Sequence, residues 1–152
     1  MNQNHLRMKI VNFEASNFEG PCKVDEEFAP LLFQMNEIAI RHNVIVVITS
    51  SLRKDTNVVG AIVTPAKMSN HLIGHAIDCN VKSKTTGEFF NSKRMGDGKG
   101  VDDIFLEDVD RNTDLRWGIA FNKPDSVHFD DAMNVKRPDI WREKLSELLD
   151  IR

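Results

Sequence analysis

MSNHLIGHAIDCNV, residues 68–81, is the stretch that decides the fold prediction for this chain. From Gly74 to Val81 its residues can alternate as a strand, in which successive side chains point to opposite faces of a sheet. One face then carries Gly74, Ala76 and Asp78, and the other carries His75, Ile77 and Cys79. Glycine and alanine are small, so we expect open space beside Asp78 for a metal ion and a substrate. We interpret His75 and Cys79 as packing residues on the opposite face.

The sequence before this strand predicts a helix and a second strand. Residues 25–42 place apolar side chains at helical spacing. The side chains of this stripe are Phe28, Leu31, Leu32, Met35 and Ile38. The next segment, NVIVVITSS at 43–51, is short and rich in β-branched residues, which is typical of a buried strand, here ending near Ser50. Residues 55–70 show neither periodicity, so we predict a connection that crosses the surface.

The sequence after residue 81 predicts a loop, a helix, a strand and a final helix. Residues 85–100 are rich in glycine, lysine and small polar residues, which predicts a flexible loop. A short helix is predicted over residues 101–112, and DSVHFDD at 125–131 predicts a strand. The C-terminal helix, residues 138–150, opens with proline, which is favourable in a first turn. The apolar stripes are Val101, Ile104, Phe105 and Val109 in the first helix, and Trp141, Leu145, Leu148 and Leu149 in the last.

Together these elements predict an α+β fold in which helices pack on a small antiparallel sheet. The chain has 152 residues, enough for one domain, and we expect a single domain over residues 1–152. Apolar residues make up 41% of the sequence, which is enough to form a core.

Composition argues against several classes of function. The net charge of -3 provides no basic surface for nucleic acid, so we predict no nucleic-acid partner. The longest aliphatic run, Val44–Ile48, is too short to span a bilayer, and the N-terminus lacks the apolar segment of a secretory signal. Cys22 and Cys79 are too few for a disulfide framework or a cysteine zinc site. We expect two free thiols and a monomer.

Three residues have the chemistry of zinc ligands. His71 precedes the predicted strand and Asp78 lies within it. His128 stands between two apolar residues in the strand predicted over 125–131, so its side chain should point into a polar site on the other face. Imidazoles and a carboxylate are standard ligands of catalytic zinc, and three of them leave a fourth position open for water. We predict that these three residues bind Zn²⁺, with Asp125 nearby as the candidate base.

Three ordered motifs resemble those of the zinc D-Ala-D-Ala peptidases. This family includes D-alanyl-D-alanine carboxypeptidases and dipeptidases and phage L-alanyl-D-glutamate endolysins. SNHLIGHAID, residues 69–78, matches the pattern S-x-H-x-x-G-x-A-x-D at every defined position. DSVH at 125–128 resembles the acidic residue that precedes the family's third histidine. ITSSLRK at 48–54 resembles a strand that ends in S-G-Y-R-S, with Arg53 at the arginine, and the resemblance as a whole covers residues 25–130.

The resemblance implies specific roles for these residues. It implies that zinc is held by His71, Asp78 and His128, within the fold type of the zinc D-Ala-D-Ala peptidases and hedgehog domains. It implies that Asp125 acts as general base and acid. Arg53 is expected to bind the substrate and to stabilise the oxyanion, and Ser69 is expected to bind polar groups of the substrate. Asp130 is expected to support the site from behind the ligands.

Five positions depart from the commonest family pattern, and one of them is Asp130, where the family often has glutamate. Ser51 stands where glycine is usual, Leu52 where an aromatic residue is usual, and Lys54 where a second serine is usual. These three differences concern the shape of the substrate pocket and not the metal ligands. Asp125 stands where many members have glutamate, and an aspartate there resembles the endolysin branch.

We therefore expect a zinc metallopeptidase that cuts peptidoglycan stem peptides. Asp125 and the small size of the chain favour an endopeptidase that cleaves the L-alanyl-D-glutamate bond. The alternatives are a D-Ala-D-Ala carboxypeptidase or dipeptidase, and a non-catalytic module that binds the cell wall and keeps zinc for structure. We expect synthesis in the cytoplasm and action on the cell wall or in the periplasm, after lysis or by dedicated export.

Overall fold

The computed structural model describes residues 8–54, 68–95 and 100–151. Its strands are β1 (Ile10–Asn12), β2 (Phe18–Glu19), β3 (Lys23–Asp25), β4 (Val44–Ser50), β5 (Ala76–Ser83), β6 (Phe89–Phe90), β7 (Arg116–Trp117) and β8 (His128–Asp130). Its helices are α1 (Ala29–His42), α2 (Val101–Asn112), α3 (Met133–Lys136) and α4 (Pro138–Ile151). Short 3₁₀ turns span Asn70–Ile73 and Gly118–Ala120. Most of the predicted connection over 55–70, and part of the predicted loop over 85–100, lie outside the described residues.

A sheet with the strand order β2-β4-β5-β8-β7 forms the centre of this α+β fold, and β6 also pairs with β5. The pairs β4–β5, β5–β6, β5–β8 and β7–β8 are antiparallel. β2 instead runs parallel to β4, so the prediction of an antiparallel sheet is wrong at this edge. The reason is that α1 lies between these two strands in the chain and provides the long crossover that parallel pairing requires. β1 and β3 form a separate antiparallel pair.

Helix α1 begins at Ala29, later than the start predicted at residue 25. The chain is extended up to Asp25 in β3, and Pro30 then occupies the first helical turn, where its missing N–H costs no hydrogen bond. The helix ends at His42 and is followed by the capping residue Asn43, whose φ of 57° is left-handed. Leu31 is only partly buried. The rest of the predicted stripe lies in the core: Phe28, Leu32, Met35 and Ile38.

Helix α2 covers the predicted residues but turns a different face to the core. Val101 and Ile104 are exposed, at 36% and 63%, so the predicted stripe is wrong at its N-terminal end. The helix packs against α1 and β5. The face that packs there is formed by Phe105, Leu106 and Val109.

Two hydrophobic clusters hold these elements together. The larger one includes residues of the sheet, α1 and α2, and contains Trp117. The second joins Trp141 and Leu145 of α4 to Leu72 and Ile73 of the first 3₁₀ turn. Helix α4 therefore fixes the turn that carries His71. Within the described ranges, no helix has both the length and the apolar composition needed to cross a membrane.

Strand β5 starts at Ala76 and not at the predicted Gly74. Gly74 ends the first 3₁₀ turn with a φ of 73°, a left-handed conformation that favours glycine. Its carbonyl accepts a hydrogen bond from the Asp25 N–H at 3.0 Å. A Cβ atom at Gly74 would lie 2.7 Å from that same nitrogen. The absent side chain thus makes room for the β3 backbone, which corrects our expectation that it leaves space for a metal ion and a substrate.

Candidate metal centre

The three predicted ligands converge at one point in the structure. One ligand atom from each of His71, Asp78 and His128 lies within 4.8 Å of the others. Oδ1 of Asp78 is 3.2 Å from Nε2 of His71 and 3.3 Å from Nδ1 of His128. Atoms that bind a tetrahedral zinc ion at about 2.0–2.1 Å lie about 3.3 Å from one another. The chemistry of this donor set therefore fits zinc, and so do the two distances from Asp78.

Strand pairing brings two of the three ligands together. Asp78 of β5 is the direct cross-strand partner of His128 of β8, and it also pairs with Ser50 at the end of β4. His71 arrives separately, on the first 3₁₀ turn. Ser69 caps that turn, since its Oγ accepts a hydrogen bond from the His71 N–H at 3.2 Å.

Each histidine uses its second ring nitrogen to fix its orientation. Nδ1 of His71 donates to the carbonyl oxygen of Ser51 at 2.8 Å, which leaves Nε2 facing Asp78. Nε2 of His128 donates to Oδ2 of Asp130 at 2.6 Å, which leaves Nδ1 facing Asp78. Such partners set the tautomer and ring orientation of metal-binding histidines. Both rings thus present a nitrogen to the same point.

The ionisable groups of the cluster hold one another in their charged forms. Burial opposes ionisation of Asp78, but hydrogen bonds from His128 and His71 outweigh burial and hold the pKa of this carboxyl below its usual range. Burial lowers the pKa of His128, but hydrogen bonds to Asp130 and Asp78 outweigh it and raise the pKa to about 9. A metal ion bound at Nδ1 must therefore displace a proton from His128, which couples metal binding to pH.

Arg53 lies at the edge of the cluster. Its Nη2 is 3.4 Å from Oδ2 of Asp78 and 3.2 Å from Oγ of Ser50. Its backbone N–H donates to the His71 carbonyl at 2.9 Å, which ties the residue to the ligand turn. About half of the side chain, 52%, remains exposed. The guanidinium is accordingly both close to the candidate ligand Asp78 and accessible to solvent.

Asp125 lies in the loop between the second 3₁₀ turn and β8. Its N–H donates to the Gly118 carbonyl at 2.9 Å, and its own carbonyl accepts from the His128 N–H at 3.3 Å. The residue is partly buried. Among the described residues, none is hydrogen-bonded to its carboxylate, and the carboxylate is not one of the grouped ligands. Backbone hydrogen bonds thus tie Asp125 to Gly118 and to His128, while its carboxylate stays outside the group of candidate metal ligands.

Gly118 allows the loop that carries Asp125 to lie close to the start of β8, where His128 is located. A Cβ atom there would lie 2.6 Å from the Asp125 carbonyl oxygen and 3.2 Å from Cβ of His128. Real Cβ contacts are essentially never as short as the first distance, and the second is tighter than most. Nothing in the sequence around Gly118 indicated this role, because the close approach exists only once β7 and β8 have paired.

Sequence reasoning also missed two residues behind His128. Arg116 is the cross-strand partner of Asp130 and donates to both of its carboxylate oxygens at 2.9 Å. The ring of Phe121 lies 5.5 Å from the His128 ring. Both residues lie in LRWGIAF, residues 115–121, and nothing in that segment indicated these contacts, which depend on how β7, β8 and the loop between them fold together.

His75 stays apart from the metal cluster, on the opposite side of the motif, as predicted. It is only 1% exposed, yet it is not an apolar packing residue. Its Nε2 is 2.6 Å from Oδ2 of Asp25, and its Nδ1 is 2.7 Å from Oδ2 of Asp131. Lys144 of α4 also contacts Asp25 at 2.7 Å. The residue is thus the centre of a buried ionic network.

Comparison with known proteins supports a peptidase. Residues 63–131 match the profile of a family described as D-alanyl-D-alanine carboxypeptidase. The matched range contains all three candidate ligands together with Ser69 and Asp125, whereas Arg53 precedes it. No curated protein gives a significant match to the chain. This part of the chain is therefore similar to a peptidase family, and it contains the three grouped residues that could hold a metal ion.

Proposed function

We propose that this protein is a zinc peptidase that hydrolyses peptidoglycan stem peptides at the L-alanyl-D-glutamate bond. The observation that carries the proposal is the convergence of His71 Nε2 and His128 Nδ1 on Oδ1 of Asp78. It lies within the segment that matches a peptidase family. A structural zinc site normally has four protein ligands, whereas a catalytic site has three and an open position. Within the described chain, three grouped ligands were found.

Zinc would be held by the three grouped residues. When bound, it lowers the pKa of water to about 7 and polarises the carbonyl of a bound peptide. The outer contacts from the Ser51 carbonyl and from Asp130 would keep both imidazoles oriented toward the ion.

The remaining chemistry is assigned to side chains around the ligands. Asp125 would take a proton from the attacking water and deliver it to the leaving amine, since its carboxylate has no hydrogen-bond partner among the described residues. Arg53 would orient a carbonyl or carboxylate oxygen of the substrate and stabilise negative charge that develops there. Ser69 would bind a polar group of the substrate only if its Oγ can do so while it caps the ligand turn.

The scissile bond separates two candidate activities. Asp125 at the base position supports the endopeptidase. The description of the matched family favours the second candidate, a D-Ala-D-Ala carboxypeptidase. The carboxypeptidase would need a group that binds a free carboxylate at the end of its substrate, and Arg53 has the charge and exposure for that role. In either case we propose that the protein acts as a monomer on the cell wall, which it reaches after lysis or by dedicated export.

Mass spectrometry of the soluble products from purified sacculi tests the proposal. Zinc-loaded protein should release peptides with a new D-glutamate amino terminus, and Asp125→Ala should abolish this release. Asp114→Ala, a change of an exposed aspartate outside the site, is the matched control and should cleave normally. Release of D-alanine alone would replace the endopeptidase by the carboxypeptidase. Zinc-loaded protein that binds sacculi of several chemotypes and releases nothing would point to a non-catalytic module.

A further inference from the structure

We propose that Arg116 is a positioning residue that fixes His128 through Asp130 and thereby sets the metal affinity of the site. The inference rests on the proposed function, because it concerns the same metal centre. A chain of contacts carries it, from the short strand β7 to the third candidate ligand.

The first contact joins Arg116 to Asp130 across β7 and β8. Nε of Arg116 is 2.9 Å from Oδ1, and Nη2 is 2.9 Å from Oδ2. Two parallel bonds of this kind fix both the position and the plane of a carboxylate, which a single bond does not. The carboxylate is almost fully buried, with a side-chain exposure of 3%. Arg116 is therefore its fixed counter-charge.

The second contact passes this constraint to the ligand. Oδ2 of Asp130 accepts from Nε2 of His128 at 2.6 Å, and Oδ1 accepts from the Ala132 N–H at 2.8 Å. Both oxygens are thus shared between Arg116 and one further donor. Asp130 cannot rotate about its Cβ–Cγ bond without breaking several hydrogen bonds at once. The direction of Nδ1 of His128 is set by this arrangement.

Arg116 also restrains His128 by a second route. Its guanidinium lies over the ring of Phe121 at 4.7 Å from the centroid, and that ring lies 5.5 Å from the His128 ring. Phe121 belongs to the loop that carries Asp125. Arg116 therefore restrains His128 in two ways, through the carboxylate of Asp130 and through the ring of Phe121. The second contact also joins Arg116 to the loop that carries Asp125.

These contacts distinguish a positioning role from a contribution to stability alone. The loss of an outer partner of a metal-binding histidine typically reduces metal affinity roughly 10–100-fold. Lysine would keep the positive charge but cannot form two parallel bonds with a carboxylate. Arg116→Lys should therefore preserve the ion pair and lose the orientation.

The test measures metal binding directly. Zinc affinity is determined by competition with a chromophoric chelator, and the visible absorption of the cobalt(II)-loaded protein reports ligand geometry. We expect Arg116→Lys to bind zinc about tenfold more weakly than the unchanged protein, with an altered cobalt spectrum. Arg116→Gln, which also removes the charge, should lose more affinity, and it serves as the second variant if the lysine variant does not fold.

Arg94 provides a matched control. Its Nη2 is 3.0 Å from Oε2 of Glu88, and its guanidinium lies 4.5 Å from the centroid of Phe90. Like Arg116, it bonds to a carboxylate and lies over an aromatic ring, but neither of these two partners is one through which Arg116 reaches His128. Arg94→Lys should leave zinc affinity and the cobalt spectrum unchanged.

The outcomes separate this inference from the proposed function. Unchanged zinc affinity and an unchanged cobalt spectrum in a folded Arg116→Lys protein would overturn the inference, even if its melting temperature fell. A protein that binds zinc, loses affinity on Arg116→Lys and cleaves no peptide would support the inference and contradict the peptidase. Failure of the unchanged protein to bind either ion would overturn both.

Discussion

Asp78 and His128 are direct partners on two antiparallel strands, and Oδ1 of the first lies 3.3 Å from Nδ1 of the second. The residues are far apart in the chain, so the register between β5 and β8 creates this half of the metal centre. A shift of one residue would turn one of the two side chains to the other face of the sheet. The packing that fixes this register is therefore also what fixes the site.

Replacement of Asp78 should separate metal binding from acid/base chemistry. Asp78→Asn keeps the size of the side chain but removes the negative charge that faces both histidines, so we expect the purified protein to lose its zinc during dialysis. Asp125→Asn should keep its zinc but lower the rate of hydrolysis by roughly 10²–10⁴-fold. Metal analysis and peptide release are measured on both proteins. A zinc-free Asp125→Asn protein would mean that Asp125 is itself a ligand.

Gly118→Ala should impair catalysis by displacing the loop that carries Asp125. The added Cβ would lie 2.6 Å from the Asp125 carbonyl oxygen, so this part of the loop must move away from Gly118. Overpacking of this kind typically costs about 1–3 kcal/mol of stability, and we expect at least a tenfold loss in kcat. Steady-state kinetics and denaturation curves are the measurements. Full activity would show that the position of this loop does not matter for the reaction.

Gly74→Ala should destabilise the protein more than its backbone conformation alone explains. The φ of 73° makes any side chain costly, and a Cβ would also meet the Asp25 nitrogen at 2.7 Å. We expect the free energy of unfolding to fall by more than about 2 kcal/mol in total. The left-handed conformation accounts for roughly 1–2 kcal/mol, and the close contact with β3 adds to it. Chemical denaturation measures it.

Gly87→Ala is the matched control for this change. Gly87 has a similar φ of 77°, but a Cβ there would meet no atom within 4 Å. The fall in unfolding free energy of the Gly87→Ala variant therefore measures the cost of the backbone conformation alone. Equal losses for the two variants would argue against the close approach of β3 to Gly74.

The network around His75 should make stability depend on pH. Burial disfavours the charged imidazole, but hydrogen bonds to Asp131 and Asp25 outweigh it and raise the pKa of His75. Burial disfavours ionised Asp25, but His75 and Lys144 outweigh it and lower its pKa. The contribution of His75 to stability is complete below about pH 6.5 and is lost as the pH rises through its raised pKa in the folded protein. The contribution of Asp25 to stability is complete above about pH 3.8 and is lost as the pH falls through its lowered pKa in the folded protein.

Asp131→Asn tests this window. The variant removes one of the two partners that keep His75 charged, so the difference in unfolding free energy from the unchanged protein should be largest near pH 5 and should shrink as pH rises. Thermal unfolding at a series of pH values provides the measurement, with Asp114→Asn as the exposed control. A difference that stays constant from pH 5 to pH 10 would mean that His75 does not carry the effect.

The sequence contained enough local information to predict most elements. The pattern of 101–112 predicted a helix because helical spacing depends on near neighbours alone, and α2 occupies those residues. The face that this helix buries was predicted incorrectly, since Ile104 is exposed and Leu106 is buried. Which side faces the core depends on where α1 and β5 lie, and helical spacing carries no information about that.

By itself, the sequence determined the chemical identity of the candidate site: imidazoles at 71 and 128, a carboxylate at 78 and an acid at 125, in an order that resembles one family of peptidases. The tertiary structure decided everything that depends on pairing between distant segments. It decided which nitrogen of His71 and of His128 faces the metal position, and it placed Arg116 behind Asp130. It also showed that Gly74 is needed because the backbone of β3 lies so close to it. The physical reason is that hydrogen bonds between strands and contacts between backbones depend on position in space, whereas a sequence motif records only the kinds of atoms that are available.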